Sequence, residues 1–259
     1  MSALARIQNL AVRYGAASPA LDALSLDLVA GERLAIIGES GSGKSTFARA
    51  LAGLLPAEAQ VSGGISWPGL AALPRLGADI GFVFQDPGSS LNPVLSVGEQ
   101  IAEAARARAG TSWREAFARA ESLIARVRLP DPKRILHAFP HQLSGGQRQR
   151  VAIAAAIAAG PKLLIADEAT SALDMVVQAE VVALLDQLVR EDGMTLVFIT
   201  HDIALAAQLA TRIAVFRSAR LVEAGPAEAL LGAPQSDYTK SLIAAHIGLA
   251  APSPIGVDA

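Results

Sequence analysis

Residues 33–46 read RLAIIGESGSGKST: a short apolar run rich in isoleucine, a break at Gly38 into a Gly/Ser-rich loop, then a helical pattern through Phe47, Leu51, Leu54 and Leu55. Strand, loop and helix in that order are the context in which Gly38-x-x-x-x-Gly43-Lys44-Ser45 works as a phosphate-binding loop. Glycines let backbone amides curl around phosphate oxygens, Lys44 reaches the β and γ phosphates, and Ser45 ligates Mg²⁺. The start of the following helix adds the positive end of its dipole. The candidate nucleotide-binding loop is therefore Gly38, Glu39, Ser40, Gly41, Ser42, Gly43, Lys44, Ser45 and Thr46. In isolation such a loop is also a plain flexible turn, and it is the flanking strand and helix that favour the phosphate reading.

Upstream of this stretch, Leu4, Ile7, Leu10 and Val12, then Leu21, Leu24, Leu26 and Leu28, alternate with polar residues. That alternation predicts short antiparallel strands with one buried face, separated by a loop at 15–19. Downstream, residues 56–87 are rich in Gly and Pro around a strand-like IGFVFQ at 80–85, and long Ala- and Arg-rich helices follow to about Gly160. Ser96 with Glu99, and Ser112 with Glu115, match the Ser-x-x-Glu box that satisfies orphan amides at a helix start. From Lys162 strands and helices alternate again: KLLIAD, a helix over roughly 175–191, TLVFITHD, a helix over roughly 203–210, then RIAVF and RLVEAG. Alternation of this kind predicts an α/β fold with a mainly parallel sheet covered on both faces.

Composition narrows the function. The 259 residues exceed a usual domain of about 150, so one domain with an insertion, or two, is expected. Lys plus Arg total 22 against 24 Asp plus Glu, a formal net charge of -2, which argues against a surface built for nucleic acid. Hydrophobic residues reach 52% while charged residues are only 18%, so much of the chain is buried or some surface meets an apolar partner. No apolar run approaches the roughly 18 residues needed to span a membrane. The amino terminus has no apolar segment with a small-residue cleavage site, so a cytoplasmic location is expected. With no cysteine, disulfides, thiolate metal sites and cysteine nucleophiles are excluded.

A second chemical element is LLIAD followed by Glu168, an apolar strand that ends in adjacent acids. Beside a phosphate loop, Asp167 is placed to reach Mg²⁺ and Glu168 to polarise an attacking water; without that loop, acids at strand ends are usually caps or solvated turns. A third is LSGGQ at 143–147, where Ser144-x-x-Gln147 also forms a capping box for a helix that closes at Gly160-Pro161.

LSGGQ is the signature sequence of ATP-binding-cassette (ABC) ATPases, and the chain resembles that family across residues 7–225. The resemblance implies a P-loop NTPase (RecA-like) core with an amino-terminal antiparallel β subdomain at 1–87 and 160–230. It also implies an inserted helical subdomain at 88–159 and a carboxy-terminal tail at 231–259, of which APSPIGVDA should fray. It assigns Tyr14 to adenine stacking and Gln85 to the Q-loop as a metal-linked and catalytic residue. It makes 171–174 the D-loop, with Asp174 near the nucleotide, and His201 the switch histidine. Taken singly, Tyr14 is equally a strand-edge aromatic, Gln85 a turn residue and His201 a helix-capping histidine.

In such proteins two cassettes dimerise head to tail around ATP and Mg²⁺, the phosphate loop of one facing Ser144, Gly145, Gly146 and Gln147 of the other. The implied partner is a second cassette, a paralogue or a second copy of this chain. FVFQDPGSSLNPVLSVGEQI at 82–101, PHQLSGGQRQRVAIA, and Tyr238-Thr239-Lys240-Ser241-Leu242 are similar to peptide- and nickel-import cassettes. That likeness implies two integral membrane permease subunits, an extracytoplasmic solute-binding protein and a position on the cytoplasmic face of the cell membrane. A soluble cassette of a carbon–phosphorus lyase assembly is the alternative. Three departures stand out. Ala169 replaces a usual proline, the cysteine-rich iron–sulfur segment of the longer oligopeptide members is absent, and Ala219 replaces a usual glycine. The last disfavours positive φ in the turn at 217–220.

Overall fold

The computed structural model of the protein describes residues 2–16, 18–107, 110–171 and 173–250; the terminal APSPIGVDA and Ala172 of the expected D-loop lie outside the described residues. The chain runs through β1 (Ala3–Tyr14), β2 (Leu21–Val29), β3 (Arg33–Gly38), α1 (Lys44–Ala52), β4 (Ala59–Ser66) and β5 (Ile80–Val83). Helices α2 (Pro87–Ser90), α3 (Val97–Arg106), α4 (Trp113–Arg126), α5 (Pro132–His137) and α6 (Gly145–Ile157) come next. The remainder is β6 (Leu163–Asp167), α7 (Met175–Asp192), β7 (Thr195–Ile199), α8 (Ile203–Leu209), β8 (Arg212–Arg217), β9 (Arg220–Pro226), α9 (Ala227–Gly232) and α10 (Asp237–Ala250).

Six strands form one sheet in the order β5-β6-β7-β3-β8-β9, and β2-β1-β4 form a second. β5, β6, β7, β3 and β8 are parallel, whereas β9 returns antiparallel to β8. LLIAD and TLVFI are buried along their whole length, as strands covered on both faces must be. Parallel strands put their carboxyl ends on one edge, so the loops after β3, β5, β6 and β7 all open on the same side. That edge carries the phosphate loop, Gln85, Asp167 with Glu168, and His201.

The antiparallel sheet forms as the alternation at its start predicts: Ile7, Leu10 and Val12 pack with Leu21, Leu24 and Leu28 into a cluster that also holds Phe47 of α1 and Phe216 of β8. The two phenylalanine rings meet edge to face at 5.6 Å, an arrangement worth up to about 1.5 kcal/mol beyond the area buried. Helices α3, α4 and α6 begin at Ser96, Ser112 and Ser144, each with its reciprocal capping box formed. No helix among the described residues is long and apolar enough to cross a membrane.

Four details depart from the sequence reading. The expected strand over 80–85 ends at Val83, leaving Phe84 and Gln85 exposed beyond it. The Gly/Pro-rich stretch after residue 56 contains β4, exposed or half-exposed at every position and held by pairing with β1. Within 231–259, α10 packs Tyr238 and Ile243 onto Ala35, Ile37 and Val215. The turn between β8 and β9 does adopt positive φ, at 47° for Ser218 and 66° for Ala219, contrary to the expectation from alanine. Its neighbours hold it there: the Ala219 carbonyl accepts from the Asp22 amide at 2.8 Å, and Arg220 pairs with the Asp22 carboxylate at 2.6 Å.

Candidate functional site

Gly38 and Gly43 are glycines for a geometric reason. Gly38 has φ 146°, and a Cβ there would lie 2.1 Å from the Phe216 carbonyl oxygen; Gly43 has φ 102°, and its Cβ would lie 2.4 Å from that of Ala20. Any side chain at either position would force β3 or α1 away from the backbone it touches.

The loop so formed wraps its own lysine. Lys44 is 5% exposed, and its Nζ donates to the Gly38 carbonyl at 2.8 Å and the Glu39 carbonyl at 2.7 Å. Burial pushes the ammonium below the usual lysine range, opposed by the carboxylates of Glu168, Asp167 and Glu39. Nearby, the Ser42 hydroxyl is buried with no hydrogen-bond partner among the described residues. An uncommitted donor and a cation held only by neutral carbonyls suit a phosphate chain.

At the end of β6, Asp167 accepts from the Ser45 hydroxyl at 2.9 Å. Burial raises the Asp167 carboxyl above the usual carboxylate range, against the lowering effect of the Ser45 bond. A hydroxyl and a buried carboxylate side by side are hard oxygen donors of the kind that hold Mg²⁺.

Glu168 stands in the left-handed region at φ 47°, uncommon for a residue with a side chain. Three contacts impose this conformation: its amide donates to the Ile199 carbonyl at 3.1 Å, and its carbonyl accepts from the Ser171 amide at 3.1 Å and hydroxyl at 3.0 Å. Gln85 Nε2 then donates to Glu168 Oε2 at 3.2 Å and approaches the Ser171 hydroxyl at 3.4 Å. A cavity of about 290 Å³ results, lined by Ser40, Gly41, Gly43, Lys44, Ser45, Thr46, Gln85 and Glu168, with Ala20 at its side.

The other expected residues do not line this cavity. Tyr14 is half-buried against the cluster of the antiparallel sheet, its hydroxyl without a partner among the described residues. His201 is exposed between β7 and α8, and the cap of α8 is Asp202 rather than this histidine. Asp174 caps α7, accepting from the Val176 and Val177 amides at 3.1 and 3.0 Å. Ser144, Gly145, Gly146 and Gln147 open α6 on the surface; the Gln147 amide donates to the Ser144 hydroxyl, and the Ser144 amide to the Gln147 side chain. A Cβ on Gly146 would lie 2.7 Å from Val177, so the signature glycine also lets α6 approach α7.

Sequence reasoning did not single out Ala20 or the bracing role of Ser171. Neither lies in a motif that marks such a role: Ala20 acts through its close approach to Gly43 once β2 meets the loop, and Ser171 through bonds to the Glu168 carbonyl three residues before it.

The sequence profile of a family described as ABC transporter matches residues 21–171. The chain is 42% identical over 256 residues to the peptidoglycan transport ATP-binding protein YejF of Agrobacterium fabrum, covering 94% of this chain and 47% of that protein. It is 45% identical over 237 residues to the glutathione import ATP-binding protein GsiA of Salmonella typhimurium, covering 86% of this chain and 38% of that protein. The chain thus spans less than half the length of these relatives. Among solved structures, cbiO1 from Clostridium perfringens, part of the ABC transporter complex cbiONQ, is 28% identical with a TM-score of 0.77, over 96% of this chain and 99% of that one. The dimeric post-hydrolysis ATP-binding cassette MJ0796, bound to ADP and phosphate, is 31% identical with a TM-score of 0.73, over 86% of this chain and 98% of that one.

Proposed function

Because the chain belongs to the ABC transporter ATP-binding family, we propose that it is the ATP-hydrolysing cassette of a bacterial importer for peptide-type solutes. The observation that carries the ATPase reading is the convergence of Lys44, Ser45, Glu168 and Gln85 from three segments onto one cavity, with Asp167 bonded to Ser45 beside it. Backbone amides of the loop and Lys44 bind the β and γ phosphates, while Ser45 and Asp167, with Gln85 close by, hold Mg²⁺. Bound Mg²⁺ would supply charge neutralisation on the phosphates. Glu168, fixed through its strained backbone and by Gln85, orients the attacking water and accepts its proton.

The half of the set that stays outside the cavity supports a site completed by a second cassette. Ser144 and its glycines offer amides at the exposed start of a helix of 13 residues, a surface suited to the γ phosphate of a nucleotide held elsewhere. Tyr14 is the proposed adenine platform, Asp174 the D-loop contact to the partner cassette and His201 the γ-phosphate sensor. The helical subdomain at 88–159 joins the core through β5 and β6. The importer reading rests on the names of the relatives and on an apolar groove beside Gln85. Its walls include Leu76, Phe82, Phe84, Leu91, Ala152 and Ala156, and it suits one helix of a membrane subunit, so that a pair of cassettes would take one from each of two subunits. A solute-binding protein would complete the assembly outside the membrane. No observation favours the soluble lyase-type assembly.

The test is sedimentation of Glu168→Gln protein with and without ATP, beside Mg²⁺-dependent hydrolysis by the parent. Expected are parental turnover, none in the variant, and an ATP-dependent dimer of the variant. A parent that neither binds nor hydrolyses ATP would overturn the reading. Co-purification from native membranes of soluble partners alone would overturn the importer part.

A further inference from the structure

The carboxy-terminal helix reaches the phosphate loop. Tyr238 in the first turn of α10 is 8% exposed, and its ring packs in the cluster that holds Ala35 and Ile37 of β3, the strand leading into the loop. The Arg217 guanidinium lies over the ring, 4.5 Å from its centroid. The Tyr238 hydroxyl accepts a hydrogen bond from the Glu39 amide at 3.3 Å.

That amide is one end of a peptide group whose other end is already engaged. The Gly38 carbonyl, across the same planar unit, accepts from Lys44 Nζ at 2.8 Å. Because N–H and C=O of a trans peptide point in opposite directions and the unit is rigid, an acceptor fixed on the amide side fixes where the carbonyl points. An amide that donates also makes its own carbonyl a stronger acceptor. Gly38 cannot hold the unit by itself, since its lack of a side chain leaves the adjoining torsions free.

We infer that Tyr238 is a positioning residue of the nucleotide site: its hydroxyl holds the Gly38–Glu39 peptide so that the carbonyl keeps Lys44 aimed along the loop. The inference rests on the nucleotide-binding reading of that loop. Lys44 meets phosphate in the bound ground state as well as during reaction, so the effect falls on affinity more than on turnover.

The test is Tyr238→Phe in the full chain, which keeps the ring, its core packing and its contact with Arg217 while removing the acceptor. Lys240→Ala, on the exposed side of the same helix and paired with Asp237, is the control. Expected for Tyr238→Phe are a KM for ATP and a dissociation constant for a non-hydrolysable ATP analogue raised roughly fivefold, the loss of one neutral hydrogen bond of about 1 kcal/mol. Expected too are kcat within about twofold, a melting temperature lowered by no more than about 3 °C, and at least about fivefold faster hydrogen exchange of the Glu39 amide with β3 unaltered. Unchanged exchange at Glu39, or unchanged nucleotide affinity in a variant whose parent binds ATP, would overturn the inference. Should the parent bind no ATP, the nucleotide reading fails on its own account, and exchange at Glu39 still decides whether Tyr238 holds the loop.

Discussion

Gln85 and Glu168, 83 positions apart in the chain, meet through a 3.2 Å hydrogen bond from Nε2 to Oε2. One lies just beyond β5 and the other just beyond β6, so the bond ties the exits of two neighbouring strands together over the cavity. A carboxylate restrained at its side chain by Gln85 and at its backbone by Ser171 has little freedom left to find a water by chance.

Gln85→Ala is therefore expected to slow ATP turnover about tenfold with binding changed less than about twofold, whereas Glu168→Gln should slow it at least about 100-fold. Steady-state hydrolysis and calorimetric titration with ATP separate the two quantities. A Glu168→Gln protein turning over at the parental rate removes that residue from its role.

Asp167 carries a net cost at neutral pH, only part of which the Ser45 bond, Arg49 and Lys44 offset. Its carboxyl is raised by burial, so folding favours the protonated form. The associated stability is fully present below the ordinary aspartate value of 3.8 and is lost as pH rises through the higher folded value. Asp167→Asn keeps an acceptor for Ser45 and removes the buried charge. It should raise the melting temperature at pH 7 by about 2 °C while abolishing Mg²⁺-dependent hydrolysis, and the gain should vanish towards pH 4. A melting temperature equal to the parent's at pH 7 would mean that Lys44 and Arg49 already offset the burial.

Two glycines of the phosphate loop should respond unequally to alanine. Gly41 has φ 75° but open space around its Cβ position, while Gly43 has φ 102° and a backbone oxygen 2.4 Å away. Gly41→Ala is expected to cost about 1 kcal/mol of stability, the left-handed penalty alone. Gly43→Ala should cost clearly more and weaken ATP binding at least about tenfold. Chemical denaturation and titration on both variants check the order, and equal losses would contradict it.

The turn at Ser218 and Ala219 offers a change in the opposite direction. Ser218 is exposed with φ 47°, so Ser218→Gly relieves a left-handed strain without opening a cavity. A gain near 1 kcal/mol, or about 3 °C in melting temperature, is expected, with ATP turnover unaltered. A loss on calorimetry would show that Asp22 and the Ala219 carbonyl leave no strain to relieve.

What the sequence made legible shares one property: it is local. RLAIIG before GESGSGKST, and Ser three places before Glu or Gln, report interactions within one loop or one helical turn, and the structure forms them as read. β4 escaped because a strand held by pairing with β1, with two glycines and no buried face, carries no period-two signal. The positive φ of Glu168 escaped because it is imposed from Ile199 and Ser171. Tyr238 stood out as part of a motif, but its contact with Glu39 crosses 199 positions and depends on where α10 docks.

The chain leaves the main sheet after Val83 and re-enters it at Leu163, in the adjacent strand, having traversed α2 to α6 in between. Exit and re-entry are neighbouring doorways, closed by the Gln85 to Glu168 bond and by Asp79, whose carbonyl accepts the amides of Lys162 and Leu163. A detour that starts and ends at one doorstep can vary over α3 to α5 without moving the furniture of the room it leaves, so long as α6 keeps its seat against α7 at Gly146 and Val177. Diversification of what this cassette docks against thus needs no retuning of the chemistry at Lys44 and Glu168.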